Sequence, residues 1–119
     1  MSIILDGTNG IDTPDIDING EPATAVFSTT ITGSNASSDW TQATGSDPYI
    51  ATMTVTGVLS TDTPVVDINL SSVTYADVPD VQGDWALVYR VEASADDEVK
   101  FYATAEPVED LTVQIQVVR

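Results

Sequence analysis

The sequence predicts an all-β protein, an antiparallel β-sandwich of jelly-roll or immunoglobulin-like type. Apolar residues alternate with Thr, Ser or Ala over most of the chain, and this period of two is typical of strands with one buried face. The alternating runs are rich in β-branched and aromatic residues, and Gly, Pro, Asn and Asp separate them at short intervals. No segment keeps a period of 3.6 residues over three turns. A chain of 119 residues has room for one two-layer core, which we place in residues 24–119.

The alternation predicts six strands in this domain: residues 24–32, 49–58, 64–70, 85–93, 99–105 and 111–118. The helical candidate is segment 75–84, with the sequence YADVPDVQGD. Because Pro79 and Gly83 interrupt helix interiors, we expect only one helical turn or an irregular loop there.

Residues 1–23 differ in character from the rest of the chain. They predict two short strands, 3–5 and 15–18, around a Gly- and Asn-rich turn at residues 6–10. Such a segment is too small to bury a core of its own, so it must pack on the main domain or on a neighbouring subunit. We favour the neighbour, and we interpret residues 1–23 as an attachment or subunit-exchange segment.

The run from Asp15 to Gly20 has a metal-binding interpretation. Asp15, Asp17 and Asn19 match the first half of an EF-hand loop, and their oxygens suit calcium. Position twelve of that loop, however, falls at Val26 instead of Glu, and no helices are expected to flank it. The same three residues also fit the wet face of an ordinary strand. Calcium is therefore one of two interpretations of this run.

Composition excludes several classes of function. Without Cys or His, the chain cannot build disulfides, thiolate or imidazole metal sites, or a His-based catalytic triad. A net charge of −16 with three cations argues against binding to nucleic acid or to an anionic membrane. No carboxylate pair stands out as catalytic, so we do not expect an enzyme. Neither an export signal nor a membrane-spanning apolar run is recognisable, and we expect synthesis and assembly in a cytoplasm. Basic proteins, neutral glycans and divalent cations remain as partners; the acidity also serves solubility.

The aromatic residues predict both core and contact positions. Trp85, Tyr89 and Phe101 are expected in the core, because each lies in an alternating run. Trp40 lies in a polar stretch, SNASSDWTQATGS, where an exposed ring stacks on a sugar or anchors a partner. Trp40 and Tyr49 are therefore the candidate contact residues. The alternative is that Trp40 covers one end of the sandwich.

The last strand, residues 111–118, predicts a subunit interface. One face is apolar, whereas Gln114 and Gln116 lie on the other face, which is polar but uncharged. In a homotrimer such a row bonds to copies of itself around the symmetry axis. The alternative is an ordinary exposed face.

Several segments resemble bacteriophage structural proteins: TVTGV at 54–58, TDTPVVDI at 61–68, Trp85 before Tyr89-Arg90, FYA at 101–103, Glu106-Pro107, and 111–119. They resemble the C-terminal module of small head-fibre, capsid-decoration and tail-associated proteins, and ILDGTNGIDTPDI resembles the opening of phage fibre and tail proteins. The resemblance implies a non-enzymatic virion protein, a homotrimer that decorates the capsid or forms a head fibre and contacts capsid or tail proteins. The alternative is a tail-associated module that binds a receptor or host surface glycans, assisted by calcium.

Overall fold

The computed structural model describes residues 24–118. Within this range the chain forms seven strands, a 3-10 turn at Tyr75–Asp77 and one α-helix, α1 (Val78–Trp85). The strands are β1 (Thr24–Ile31), β2 (Trp40–Thr41), β3 (Tyr49–Thr54), β4 (Val65–Ile68), β5 (Val88–Ala95), β6 (Glu98–Ala103) and β7 (Leu111–Val118).

The strands form two antiparallel sheets that pack face to face. One sheet has three strands in the order β1-β7-β4, and the other has four in the order β2-β3-β6-β5. The prediction of an all-β sandwich is confirmed. The finer jelly-roll or immunoglobulin-like topology stays a prediction, as does the division at residue 23, because residues 1–23 lie outside the described range.

The core lies where the inner faces of the sheets meet. Along β7 the side chains of Leu111, Val113, Ile115 and Val117 have no exposed surface, whereas the residues between them point outward. Phe101 of β6 is likewise fully buried in the facing sheet, as predicted. Burying a side chain of this size contributes about 2–3 kcal/mol, so the period of two selects which face becomes the core.

The helix is longer than the sequence predicted. Pro79 lies in the first turn of α1, where a missing N–H costs nothing and the fixed φ favours a helix start. Val81 then buries its side chain against the sandwich, which stabilises the short helix by tertiary contact. Trp85 ends this helix and packs partly buried against the core, so its assignment to a strand is wrong.

Carboxylates hold the loops at the end of the sandwich where Gly33 lies. The N–H of Gly33 donates to Asp110 Oδ1 at 3.1 Å, and the N–H of Val108 and of Glu109 both donate to Asp84 Oδ2, at 3.0 and 2.7 Å. Hydrogen bonds to a charged acceptor are roughly twice as strong as neutral ones. Part of the acidity is therefore structural and does not serve solubility alone.

Candidate assembly and binding surfaces

The outer face of the three-stranded sheet is almost without charge, and we call it the neutral face. Its side chains alternate with the buried ones along each strand, and opposite partners in the register point to the same side. Among the described residues its only charged side chain is Asp67, in a chain with 19 acidic residues. The neutral face consists of Thr24, Val26, Ser28, Thr30, Val65, Asp67, Thr112, Gln114, Gln116 and Val118.

Gln114 and Gln116 lie in the middle of this face, on its central strand. Gln116 is opposite Val26 on β1 and Val65 on β4, and those two valines are 56% and 67% exposed. Gln114 and Gln116 also line a shallow depression together with Val65 and Asp67. The expectation that both glutamines point away from the core is confirmed, and their place in a subunit interface stays a prediction.

The neutral face combines apolar side chains with hydroxyl and amide groups that can form hydrogen bonds to the same groups of another copy. Thr30 and Thr112 share a hydrogen bond of 3.0 Å between their hydroxyl groups. A Ser, Thr or Gln side chain both donates and accepts, so a second copy of the same face supplies matching partners. Exposed valines grouped among neutral polar groups are typical of an interaction surface.

A second distinctive surface lies on the outer face of β5 and β6, and we call it the Tyr–Arg patch. It consists of Tyr89, Arg90, Glu92, Lys100 and Tyr102 and contains two of the chain's three cations. Glu92 accepts hydrogen bonds from Arg90 Nη2 and from the Tyr102 hydroxyl, each at 2.6 Å. The Arg90 guanidinium lies 4.8 Å from the centre of the Tyr102 ring, and the Tyr89 and Tyr102 ring centres are 6.4 Å apart.

A β-bulge creates this arrangement. Val88 pairs with Ala103 and Arg90 with Tyr102, so the register shifts by one residue at Tyr89. In a regular strand Tyr89 would point inward, opposite to Arg90. Instead its side chain is 57% exposed, and its predicted core position is wrong because the bulge turns it outward.

The patch fixes the protonation states of its two central groups. The hydrogen bond from Tyr102 lowers the pKa of Glu92, and the nearby charges of Arg90 and Lys100 act in the same direction against partial desolvation. The same bond to Glu92, together with burial, raises the pKa of Tyr102. Around neutral pH, Glu92 is therefore a carboxylate and Tyr102 a protonated donor.

Sequence reasoning missed the Tyr–Arg patch, although a signal was present. Arg90 and Glu92 alternate on one strand, Lys100 and Tyr102 alternate on the next, and a tight turn joins the two strands. Hairpin pairing alone brings these four side chains to one face. The position of Tyr89 has no such signal, because nothing in the sequence identifies the bulge.

An acidic cluster lies beside α1 at the same end of the sandwich as Gly33. Desolvation raises the pKa of Glu109, and the neighbouring Asp80, Asp84, Asp77 and Asp110 add to the effect, in that order. Oxygens of Asp84 and Asp110 are already bonded to backbone N–H groups. Within residues 24–118, no group of three or more acidic side chains is arranged to hold a metal ion.

Of the two alternatives for Trp40, the exposed ring is wrong and the buried position in the sandwich is observed. Trp40 is 4% exposed and pairs with Ala51 in the short strand β2, inside the core cluster. Its backbone N–H donates to Ser38 Oγ, whose hydroxyl donates to Glu106 Oε2. The second bond joins residues distant in sequence and holds the polar stretch over the indole. Its Nε1–H is buried and has no acceptor among the described residues. Tyr49 is half-buried against the same core, and its role as a contact residue stays a prediction.

Asp15, Asp17 and Asn19 lie outside the described residues, as does the whole attachment segment. Calcium binding by these three side chains therefore stays a prediction.

Comparison with known proteins finds no match for this chain. The chain matches no protein-family model, and it has no match among curated proteins or solved structures. Over residues 24–118, no helix is long and apolar enough to cross a membrane.

Proposed function

We propose that this chain is a non-enzymatic structural protein of a bacteriophage virion, which decorates the capsid or forms a head fibre as a homotrimer. The neutral face carries this proposal. The resemblance of the strand and turn segments to phage structural modules supplies its biological setting.

Electrostatics selects the neutral face as the surface where copies of this chain meet. Each copy carries a net charge of −16, so most orientations bring carboxylates of two copies together. At 4 Å, two like charges repel by about 1–4 kcal/mol near a protein surface, and physiological salt largely screens this repulsion only when the charges are more than about 8 Å apart. Among residues 24–118, an approach through the neutral face brings in only the charge of Asp67, and it covers the exposed side chains of Val26, Val65 and Val118.

A threefold axis near Gln114 and Gln116 fits the chemistry of this face. An amide side chain donates and accepts at once, so three copies related by rotation bond in a closed ring. Asp67 is opposite Gln114 on the neighbouring strand β4, so the three carboxylates lie beside the axis, one strand spacing of roughly 5 Å from it.

Immunogold electron microscopy of purified phage particles tests the virion role. We expect an antibody against the full chain to place gold on the capsid, at many positions per particle. A protein present in infected cells but missing from purified particles would contradict the proposal. Gold restricted to the tail would contradict the capsid assignment and support the second candidate.

The second candidate is a tail-associated module that binds a receptor or a glycan and is assisted by calcium. The Tyr–Arg patch favours it, because the patch presents an exposed aromatic ring beside a fixed carboxylate and a guanidinium. The calcium element rests on Asp15, Asp17 and Asn19 alone. A calcium titration of the full chain, followed by melting temperature, tests that element separately.

A further inference from the structure

We propose that the Tyr–Arg patch is a binding site for an uncharged saccharide. This proposal deepens the receptor- and glycan-binding candidate by assigning its surface and ligand class. It does not depend on the neutral face, because the two surfaces lie on the outer sides of different sheets.

The bulge in β5 makes the site. It presents two consecutive side chains, Tyr89 and Arg90, on one face, which regular strand geometry forbids. The exposed Tyr89 ring is tilted by 54° to the Tyr102 ring, so the two rings form an angled surface instead of a flat one. Bulges commonly re-aim a side chain next to a functional site.

The polar groups beside the ring are held in place before any ligand arrives. Glu92 is fixed by two hydrogen bonds of 2.6 Å, from Arg90 and Tyr102, and the Arg90 guanidinium rests over the Tyr102 ring. Fixed rotamers lower the entropy that binding must remove. Preorganised polar groups around an aromatic ring are typical of ligand sites.

These groups match a sugar. Tyr89 offers an apolar ring face to the C–H side of a pyranose. The Arg90 side chain is 58% exposed and has five N–H donors, of which the Glu92 bond uses one on Nη2. The carboxylate of Glu92, whose side chain is 33% exposed, accepts from hydroxyl groups. A carboxylate beside a guanidinium thus binds neighbouring hydroxyls as acceptor and donor.

Charge argues against the other ligand classes. The net charge of −16 repels polyanions, whereas Arg90 and Lys100 repel cations. Within the patch the charges of Arg90 and Glu92 offset each other in a direct ion pair of 2.6 Å. An uncharged ligand with many hydroxyls and one apolar face satisfies all of these conditions.

Titration of the isotope-labelled full chain with oligosaccharides, followed by NMR, tests the proposal. The probes are neutral hexasaccharides of glucose, galactose, mannose and N-acetylglucosamine, with a sialylated and a sulfated oligosaccharide as anionic comparisons. We expect at least one neutral probe to shift the backbone NMR signals of Tyr89, Arg90 and Tyr102. This shift should persist at high salt, because it does not depend on net charge.

Tyr89→Ala is the decisive variant, and Tyr75→Ala is its matched control. Tyr75 is 92% exposed on the 3-10 turn and is not part of the patch, so its loss removes a tyrosine ring at least as accessible as that of Tyr89. We expect Tyr89→Ala to weaken binding by about tenfold or more and Tyr75→Ala to leave it within about twofold. Both variants should keep the circular dichroism spectrum and sedimentation mass of the wild type.

Three results would overturn the site. The first is the lack of any patch shift with every neutral probe, and the second is an equal loss of affinity in both variants. The third is a lower sedimentation mass for Tyr89→Ala, which would make the patch a subunit contact. Binding of the anionic probes alone would overturn the uncharged ligand class and make the ligand an anionic saccharide. None of these results concerns particle labelling, so the proposed virion role fails or stands separately.

Discussion

Replacing Gly33 by Ala is the sharpest test of how the loops close the sandwich. A Cβ atom at this position would lie 2.3 Å from the carbonyl oxygen of Val108 and 2.5 Å from that of Glu109. Both atoms belong to the backbone, so no side chain can rotate to make room. The loop at Gly33 must therefore move away from residues 107–110.

The hydrogen bonds between these loops give the magnitude. Ser34 N–H donates to Pro107 O at 3.0 Å, Asn35 N–H to Val108 O at 3.1 Å, and Gly33 N–H to Asp110 at 3.1 Å. Losing three bonds of about 1 kcal/mol each costs about 3 kcal/mol. Keeping them under compression costs a similar amount, about 1–3 kcal/mol or more. We expect a loss of about 3 kcal/mol, a large share of the 5–15 kcal/mol typical of a domain.

Urea unfolding followed by circular dichroism measures this loss. Gly45→Ala is the matched control, because a Cβ there meets no heavy atom within 4 Å among the described residues. We expect the free energy of unfolding of the control to stay within about 0.5 kcal/mol of the wild type. A Gly33→Ala protein that unfolds within about 1 kcal/mol of the wild type would refute the close approach of the two loops.

Three further predictions concern Glu109, Trp40 and the candidate calcium ligands. Folding raises the pKa of Glu109, so the ionised carboxylate destabilises the folded state at pH 7. Glu109→Gln removes this charge and should unfold at a higher temperature than the wild type at pH 7. The gain should vanish below about pH 4, where the wild-type carboxyl is protonated in both states, and a gain that is constant with pH would contradict the charge mechanism. Trp40 Nε1 has no acceptor among the described residues, so Trp40→Phe should change the free energy of unfolding by about 1 kcal/mol or less. Trp40→Ala should lower it by about 3–5 kcal/mol, because it removes the buried ring. Urea unfolding measures both changes. Equal losses in the two variants would contradict this prediction. The double variant Asp15→Ala, Asp17→Ala should lower the melting temperature only when calcium is present, and the same change without calcium would remove the calcium site.

The strand pattern is predictable because it rests on local alternation and on the burial of one face. Leu111, Val113, Ile115 and Val117 alternate with polar or exposed residues, and all four are fully buried in the structure. The outward position of Gln114 follows from the same period. These predictions needed no knowledge of which strands pair.

Other features depend on contacts that are distant in sequence. Trp40 has polar neighbours along the chain, yet bonds from Ser38 to Glu106 close the loop over it. Tyr89 faces outward because the pairing of β5 with β6 shifts by one residue, which neither strand encodes alone. The length of α1 depends on the burial of Val81 against the sheets, and helix propensity at Pro79 and Gly83 does not report that contact.

Sedimentation equilibrium of the full chain tests the central claim most directly. We expect the wild type to sediment as a trimer, and Gln116→Glu to sediment as a monomer because it places a charge in the middle of the neutral face. Gln82→Glu makes the same substitution at an exposed position on α1 and should leave the trimer intact. A wild type that stays monomeric at all concentrations, or a Gln116→Glu protein that associates as the wild type does, would contradict assembly through the neutral face.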